Sequence, residues 1–197
     1  MKMSLRQIRK ALWGAVAIAL SAVIVMQWIA RNQDLPAESF RPDFTLSDQS
    51  GRSYSMANFR GKFSLVFFGF TNCPDVCPTT MSEVAQVMDD LGSDADKVQP
   101  LFISIDPDRD RRQGLEKYLA AFHPAILGLA GDDSATRAAA ESFKIHFARE
   151  EDQAAPDGYT MSHSPGLFLI GPDGEWLRQF AYETPAAEIL ADILERI

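Results

Sequence analysis

The sequence has little cysteine and little positive charge, and both shortages narrow the classes of protein to consider. Two cysteines among 197 residues are too few for a disulfide scaffold, whereas a hydrophobic content of 46% is enough to build a conventional core. Asp and Glu number 27 against 19 Lys and Arg, and an acidic surface repels phosphate backbones. We therefore expect one domain of ordinary size with an attachment, and no nucleic acid partner.

The N-terminal segment combines four cations, no acids and a long uncharged stretch. As a helix rising about 1.5 Å per residue, residues 11–30 would cross a hydrocarbon core of about 30 Å. The positive-inside rule then predicts a cytoplasmic N-terminus (1–10), a single transmembrane anchor (11–30) and a short tether (31–41) in a bacterial inner membrane, with the domain in the periplasm. A cleaved signal peptide is the alternative, but its apolar region would be shorter, and Trp28 stands where cleavage needs a small residue.

Residues 42–197 alternate strand and helix patterns. A turn at 48–51 indicates an N-terminal β-hairpin, and the dense apolar run 63–70 indicates a strand buried on both faces. A helix is predicted from Thr80, where Thr80 and Glu83 match a capping box, to a stop at Gly92. Later strands are predicted at 98–105, 126–129, 145–148, 167–170 and 176–181, and helices at 113–122, 134–143 and from 184 onwards. This order predicts an α/β domain with a thioredoxin-like fold.

The two cysteines lie in the segment Cys73-Pro74-Asp75-Val76-Cys77-Pro78, between the buried strand and the capped helix. A spacing of four residues brings both sulfurs to one face if the segment is helical, close enough to share a metal or to bond each other. The positive potential at a helix N-terminus favours the thiolate. Two buried core cysteines or a permanent structural disulfide are the alternatives, and an extracytoplasmic compartment would permit the disulfide.

Two thiolates suit Cu(I), Zn(II) or iron, but alone they leave a mononuclear site short of ligands. Of the three histidines, His123 at a predicted helix end and His146 in a predicted strand are expected to be structural. His163 lies in a predicted loop, 159–166, that leads into a strand and faces the cysteine segment in a thioredoxin-like topology. Two cysteines and one histidine suit copper in both oxidation states. Met161 is either a soft auxiliary ligand or a packing residue.

With these residues in view, the chain resembles the SCO/SenC family of copper chaperones for cytochrome c oxidase. The combination of the segment 73–78 with the later stretch 158–164 is specific, whereas two cysteines at this spacing alone would not be. The matching stretches appear in family order and cover nearly all of the domain: 44–48, 67–80, 102–110, 158–164 and 172–174. One departure is Pro165-Gly166, where small polar residues are expected.

The resemblance implies a metallochaperone rather than an enzyme. Cys73, Cys77 and His163 would bind one copper ion, as Cu(I) or Cu(II), for delivery to the binuclear copper centre of cytochrome c oxidase subunit II. A copper donor protein and a thiol reductant are further implied partners. Asp106 matches an acidic loop of the family and would orient a ligand or contact a partner, although a simple turn cap before Pro107 explains it equally well.

Other thiol functions remain open from the sequence. The first alternative is a thiol–disulfide oxidoreductase that forms a redox disulfide between Cys73 and Cys77 and reduces the oxidase copper-site cysteines. Thioredoxin-type enzymes use a two-residue spacer, however, and the spacer here has three residues. A peroxiredoxin is disfavoured because the expected Thr-x-x-Cys segment is missing. A redox or copper sensor that signals to a membrane partner is a further class, and nothing indicates phosphate-loop, Ser-His-Asp or paired-carboxylate chemistry.

Overall fold

The computed structural model describes residues 40–197 together with Arg6 and Trp13. Phe40–Ile197 form a compact unit, and the domain already includes Phe40, whose ring centroid lies 5.3 Å from that of Trp176. The predicted anchor, apart from Trp13, and most of the predicted tether lie outside the described residues. Within the described part, no helix is both long and apolar enough to cross a membrane.

A five-stranded sheet forms the centre of the domain. The hairpin β1 (Leu46–Ser47) and β2 (Ser53–Tyr54) precedes it, as predicted. The sheet consists of β3 (Phe63–Gly69), β4 (Val98–Ser104), β5 (Leu127–Leu129), β8 (Leu167–Ile170) and β9 (Trp176–Phe180), in the order β5-β4-β3-β8-β9. Strands β3, β4 and β5 are parallel, whereas β8 pairs antiparallel with both of its neighbours, β3 and β9. Every residue of β3 is buried, which confirms the prediction of a strand covered on both faces.

Five α-helices accompany the sheet in the described residues: α1 (Val76–Leu91), α2 (Pro107–Gln113), α3 (Leu115–Ala120), α4 (Asp133–Ser142) and α5 (Ala186–Leu194). The helix predicted over 113–122 is present as the shorter α3, and α2, which was not predicted, precedes it across Gly114. This glycine has a φ of 82°, a left-handed conformation that ends a helix and that glycine adopts without strain. Residues 107–113 form α2, and Asp106 stands at the N-cap of this helix.

A second, smaller sheet contains β6 (Phe147–Glu151) and β7 (Tyr159–His163), which pair antiparallel. The prediction that residues 159–166 form a loop is therefore wrong for its first part. The prediction that His146 lies within a strand is also wrong, since β6 begins one residue later. Strand β6 is mostly exposed, so it lacks the alternation of buried and exposed side chains by which a half-buried strand is recognised.

Candidate metal centre

Helix α1 begins at Val76, so the prediction that it starts at Thr80 with a capping box is wrong. Thr80 lies inside the helix, where its hydroxyl donates to the Val76 carbonyl at 2.8 Å. Glu83, the expected partner in the box, accepts instead from the first backbone N–H of α5 at 2.6 Å. The early start is compatible with Pro78, because an N–H in the first turn would have no helical partner. Cys77 thereby lies in the first turn of α1.

Cys73 and Cys77 are free thiols in direct contact. The backbone N–H of Cys77 donates to Cys73 Sγ at 3.3 Å, so the Cys73 sulfur satisfies one of the unpaired N–H groups at the start of α1. The backbone N–H of Cys73 donates in turn to the Phe70 carbonyl at 3.2 Å. Cys73 is half-buried, whereas Cys77 is fully buried. Only Cys73 therefore offers its sulfur to an incoming molecule.

The two thiols have opposite acidities. Hydrogen bonding from the Cys77 side chain, with a further contribution from His163, lowers the pKa of Cys73 from 9.0 to about 4 against the opposing effect of burial. The same hydrogen bond to Cys73, together with burial, raises the pKa of Cys77 well above its ordinary value. At neutral pH the site therefore holds one thiolate and one thiol.

Gly69, the last residue of β3, makes room for the buried sulfur. A Cβ at this position would lie 2.9 Å from Cys77 Sγ and 2.6 Å from Phe67 Cε1, both closer than such atoms approach in proteins. The close packing of Cys77 against the end of β3 therefore depends on a residue without a side chain.

His163 ends β7 and is held by aromatic rings and by its own backbone. Its ring stands edge-on to Phe67 and Phe70, with centroids 6.0 and 6.3 Å apart. Its Nδ1 lies 3.1 Å from the Ser164 carbonyl oxygen. Because a carbonyl only accepts, the proton lies on Nδ1 in this contact, and Nε2 is the ring nitrogen left for a second partner. The imidazole is thus oriented by its backbone contact as metal-binding histidines commonly are.

Cys73 and His163 line one cleft of about 360 Å³, and Met161 lines it with them. Met161 and His163 are two residues apart on β7 and point to the same face of the strand. Phe70 and Pro165 contribute to an otherwise largely apolar wall. In residues 40–197, no three His, Cys, Asp or Glu side chains are grouped as a formed metal site. The structure places Cys73 in contact with both Cys77 and His163.

Asp106 lies outside this cleft. It forms an ion pair with Arg109 at 2.6 Å and accepts from the Tyr159 hydroxyl at 3.1 Å. The sequence interpretation missed a second acid, Asp110, which is fully buried beneath the cysteine segment. Asp110 accepts from the backbone N–H and hydroxyl of Thr71 at 3.0 and 2.7 Å, and burial raises its pKa. Had a helix been predicted from residue 107, the burial of Asp110 could have been inferred, because residues 106, 109 and 110 then share one face of the helix.

The other two histidines do not line the cleft. His123 Nδ1 accepts from the Ala125 N–H at 3.1 Å, and Nε2 lies 3.6 Å from Asp89. His146 is exposed, and its backbone carbonyl accepts from the Ser164 N–H at 2.9 Å. The contacts of His123 agree with its expected structural role, whereas the structural role expected for the exposed His146 side chain stays a prediction.

A thioredoxin-like domain that opens a thiolate and an imidazole onto one cleft, with a second thiol behind them, defines a class of proteins that bind soft metal ions or exchange disulfides. The sequence model of the SCO1/SenC family matches residues 32–197. The chain belongs to the SCO1/SenC family, which confirms the resemblance inferred from its motifs.

Individual relatives agree with this assignment. The SCO2-like protein of Rickettsia felis is 34% identical over 148 residues, covering 75% of this chain and 72% of that protein. The structure of Bradyrhizobium japonicum ScoI with copper bound has a TM-score of 0.72 at 34% identity, covering 80% of this chain and 99% of that one. BsSco, described with a disulfide switch and as a member of the Sco family of cytochrome c oxidase assembly proteins, has a TM-score of 0.60 at 25% identity, covering 80% and 93%. The thioredoxin-like fold is thereby confirmed.

Proposed function

We propose that this chain is a copper chaperone that binds one copper ion through Cys73, Cys77 and His163 and delivers it to the binuclear copper centre of cytochrome c oxidase subunit II. Copper is the cargo, and no catalytic step is assigned to the protein. The proposal takes its metal from relatives whose structures are described with copper bound and its residues from the geometry of this chain.

The observation that carries the proposal is the contact of the Cys73 thiolate with both other groups. Its pKa of about 4, set by Cys77 and His163, keeps a soft anionic ligand ready at neutral pH. The imidazole Nε2 of His163 would be a borderline ligand beside it. Thiolate with imidazole accommodates both Cu(I) and Cu(II). Cys77 would become the third ligand once copper displaces its proton.

The setting proposed for this function is the periplasmic face of a bacterial inner membrane, with residues 11–30 as the anchor. This rests on the charge pattern of the N-terminal sequence. A copper donor protein and a thiol reductant are needed as partners, since the cysteines must be reduced before they take up Cu(I).

Copper titration of the full-length, reduced chain tests the proposal. One copper per chain is expected, with binding lost or much weakened in Cys73→Ser, Cys77→Ser and His163→Ala. His123→Ala is the matched control, because its imidazole lies outside the cleft and its loss leaves copper binding unchanged. Copper transfer to a purified subunit II copper domain then tests delivery. Stoichiometric binding that survives all three ligand substitutions contradicts the proposal.

A second candidate function is favoured by the unequal thiols. In a thiol–disulfide oxidoreductase, the Cys73 thiolate would attack a substrate disulfide, release one substrate thiolate and form a mixed disulfide with the other sulfur. Cys77, after losing its proton, would then attack Cys73 Sγ and release the second substrate thiolate, which leaves a Cys73–Cys77 disulfide and a reduced substrate. The substrate in question would be the disulfide form of the oxidase copper-site cysteines. His163→Ala separates the two candidates: a variant that still exchanges disulfides and still supports oxidase assembly favours the oxidoreductase, whereas loss of assembly with exchange intact favours the chaperone.

A further inference from the structure

Arg109, a fully buried arginine, connects β7, the strand that carries His163, to the cysteine segment. The Arg109 side chain is only 1% exposed, and its Nε lies 2.6 Å from Asp106 Oδ2. A buried guanidinium is costly unless it is paired and hydrogen-bonded. Its position in α2 places it behind the cleft, and it does not line the cleft itself.

On one side, Arg109 holds the start of β7. Its Nη1 donates to the Tyr159 carbonyl at 3.2 Å, and its guanidinium carbon lies 4.0 Å from the centre of the Tyr159 ring. Arg149 approaches the same ring at 3.6 Å, so two guanidinium groups stack on one tyrosine. The Tyr159 hydroxyl closes the cluster by donating to both carboxylate oxygens of Asp106 at 3.1 Å.

On the other side, Arg109 reaches the residue on which Cys73 depends. Its guanidinium lies 5.8 Å from the centre of the Phe70 ring. Phe70 accepts the backbone hydrogen bond of Cys73, and its ring contacts the His163 imidazole edge-on at 6.3 Å. Arg109 therefore contacts both elements that bring Cys73 and His163 together.

From these contacts we infer that Arg109, with Asp106 and Tyr159, is a positioning cluster that holds β7 against the cysteine segment and keeps the His163 imidazole beside Cys73. Lysine would not replace Arg109, because the planar guanidinium pairs with Asp106 and stacks on Tyr159 at the same time. The inference deepens the proposed function and rests on it, since it assigns to Arg109 control over the histidine ligand only.

The test is a double-mutant cycle on the full-length chain. Arg109→Gln is expected to lower Cu(II) affinity about tenfold, as loss of groups that orient a ligand commonly does. In a His163→Ala background the same change should lower affinity less than about twofold, because the ligand through which Arg109 acts is already gone. The electron paramagnetic resonance spectrum of Arg109→Gln should also lose its imidazole nitrogen coupling. Equal losses of affinity in both backgrounds would overturn the inference.

A metal-free readout separates this inference from the proposed function. In the wild-type chain, the nearby aromatic rings of Phe67 and Phe70 should shift the ring proton signals of His163 in nuclear magnetic resonance spectra. Arg109→Gln should move these signals towards solvent-exposed values, and unchanged signals would overturn the inference. If His163→Ala leaves copper affinity intact, the proposed function has failed, and the His163 signals still decide the role of Arg109.

Two further variants control for stability. Arg178→Gln breaks an equally short ion pair with Asp192, at 2.6 Å, between β9 and α5, and should leave copper affinity and the His163 signals unchanged. If Arg109→Gln does not fold because the buried Asp106 carboxylate has lost its counter-charge, the double variant Asp106→Asn with Arg109→Met removes both charges. The amide introduced by Asp106→Asn can still accept from Tyr159, so a folded chain with displaced His163 signals is expected. A folded double variant with unshifted signals would overturn the inference.

Discussion

The cysteines and the histidine of the candidate site come from regions that differ in how firmly they are built. Cys77 lies in the first turn of the sixteen-residue helix α1, which is the next element after β3, a strand in which every residue is buried. His163 ends β7 in a two-stranded sheet whose other strand, β6, is almost entirely exposed. One side of the site belongs to the core, whereas the other is held mainly by contacts from Phe67, Phe70 and the Arg109 cluster.

This difference suggests that the two regions have separate roles in a protein that must both bind and release a metal. Elements with few buried apolar contacts open locally at a smaller free-energy cost than core elements do. A shift of β7 would withdraw His163 while the two sulfurs stay in place. We therefore expect the cysteines to determine copper affinity and β7, which carries His163, to determine the rate of copper release.

The largest effect should come from removing a ligand on the core side. Cys77→Ser is expected to weaken Cu(I) binding by more than about 100-fold, which exceeds the usual effect of losing a group that only orients a ligand. His163→Ala should weaken Cu(I) less than Cys77→Ser does, because two thiolates still hold a soft ion. Competition with a Cu(I) chelator measures both. A larger loss in His163→Ala would reverse the assignment of the two regions.

Displacing the buried sulfur without removing it should have the next largest effect. Gly69→Ala introduces a Cβ 2.9 Å from Cys77 Sγ, and overpacking of this kind destabilises a core by about 1–3 kcal/mol. The free energy of unfolding from chemical denaturation should fall by that amount, and copper affinity should fall as well because Cys77 must move.

Gly128→Ala is the matched control for this variant. Its Cβ would lie 2.7 Å from Leu119 Cδ1 and 3.0 Å from Leu115 Cγ, on β5 and away from the thiols. It should lower stability to a similar extent and leave copper affinity unchanged. Equal losses of copper affinity in both variants would mean that stability alone explains the effect of Gly69→Ala.

A smaller effect concerns the protons of the two thiols. The thiolate absorbance of Cys73 should titrate with a midpoint near its pKa of about 4. Because the folded-state pKa is lowered, the stability that the thiolate contributes is full above the ordinary value of 9.0 and is lost as the pH falls through about 4. Cys77, with its raised pKa, should stay protonated at neutral pH. Copper binding should then release about one proton, from Cys77.

Measuring proton release by calorimetry in buffers of different ionisation enthalpy checks this prediction. Cys77→Ser removes the releasing group and serves as the control. His163→Ala should raise the Cys73 midpoint, since His163 contributes to lowering it. Release of two protons per copper at neutral pH would show that Cys73 is not ionised beforehand.

The sequence predicted the core side of the site better than the histidine side. The run 63–70 was recognisable because a strand buried on both faces is apolar at almost every position. The cysteine spacing correctly indicated that the two sulfurs lie close together, although only Cys77 lies in α1 and Cys73 reaches it by accepting the Cys77 N–H. Strand β7 was missed because an exposed partner strand leaves no alternating pattern. Helix α2 was missed because its residues 107–113 are almost all polar, and only tertiary contacts to Thr71 and Tyr159 explain why Arg109 and Asp110 are buried.

The smallest expected effect tests whether Met161 belongs to the packing or to the ligand set. It lines the cleft on the same face of β7 as His163, yet it also packs against the core. Met161→Leu nearly conserves volume and should change the free energy of unfolding by less than about 1.5 kcal/mol, with Cu(I) affinity within about threefold of wild type if the residue only packs. A loss as large as that of His163→Ala would make the thioether a copper ligand, and β7 would then supply two ligands to the site rather than one.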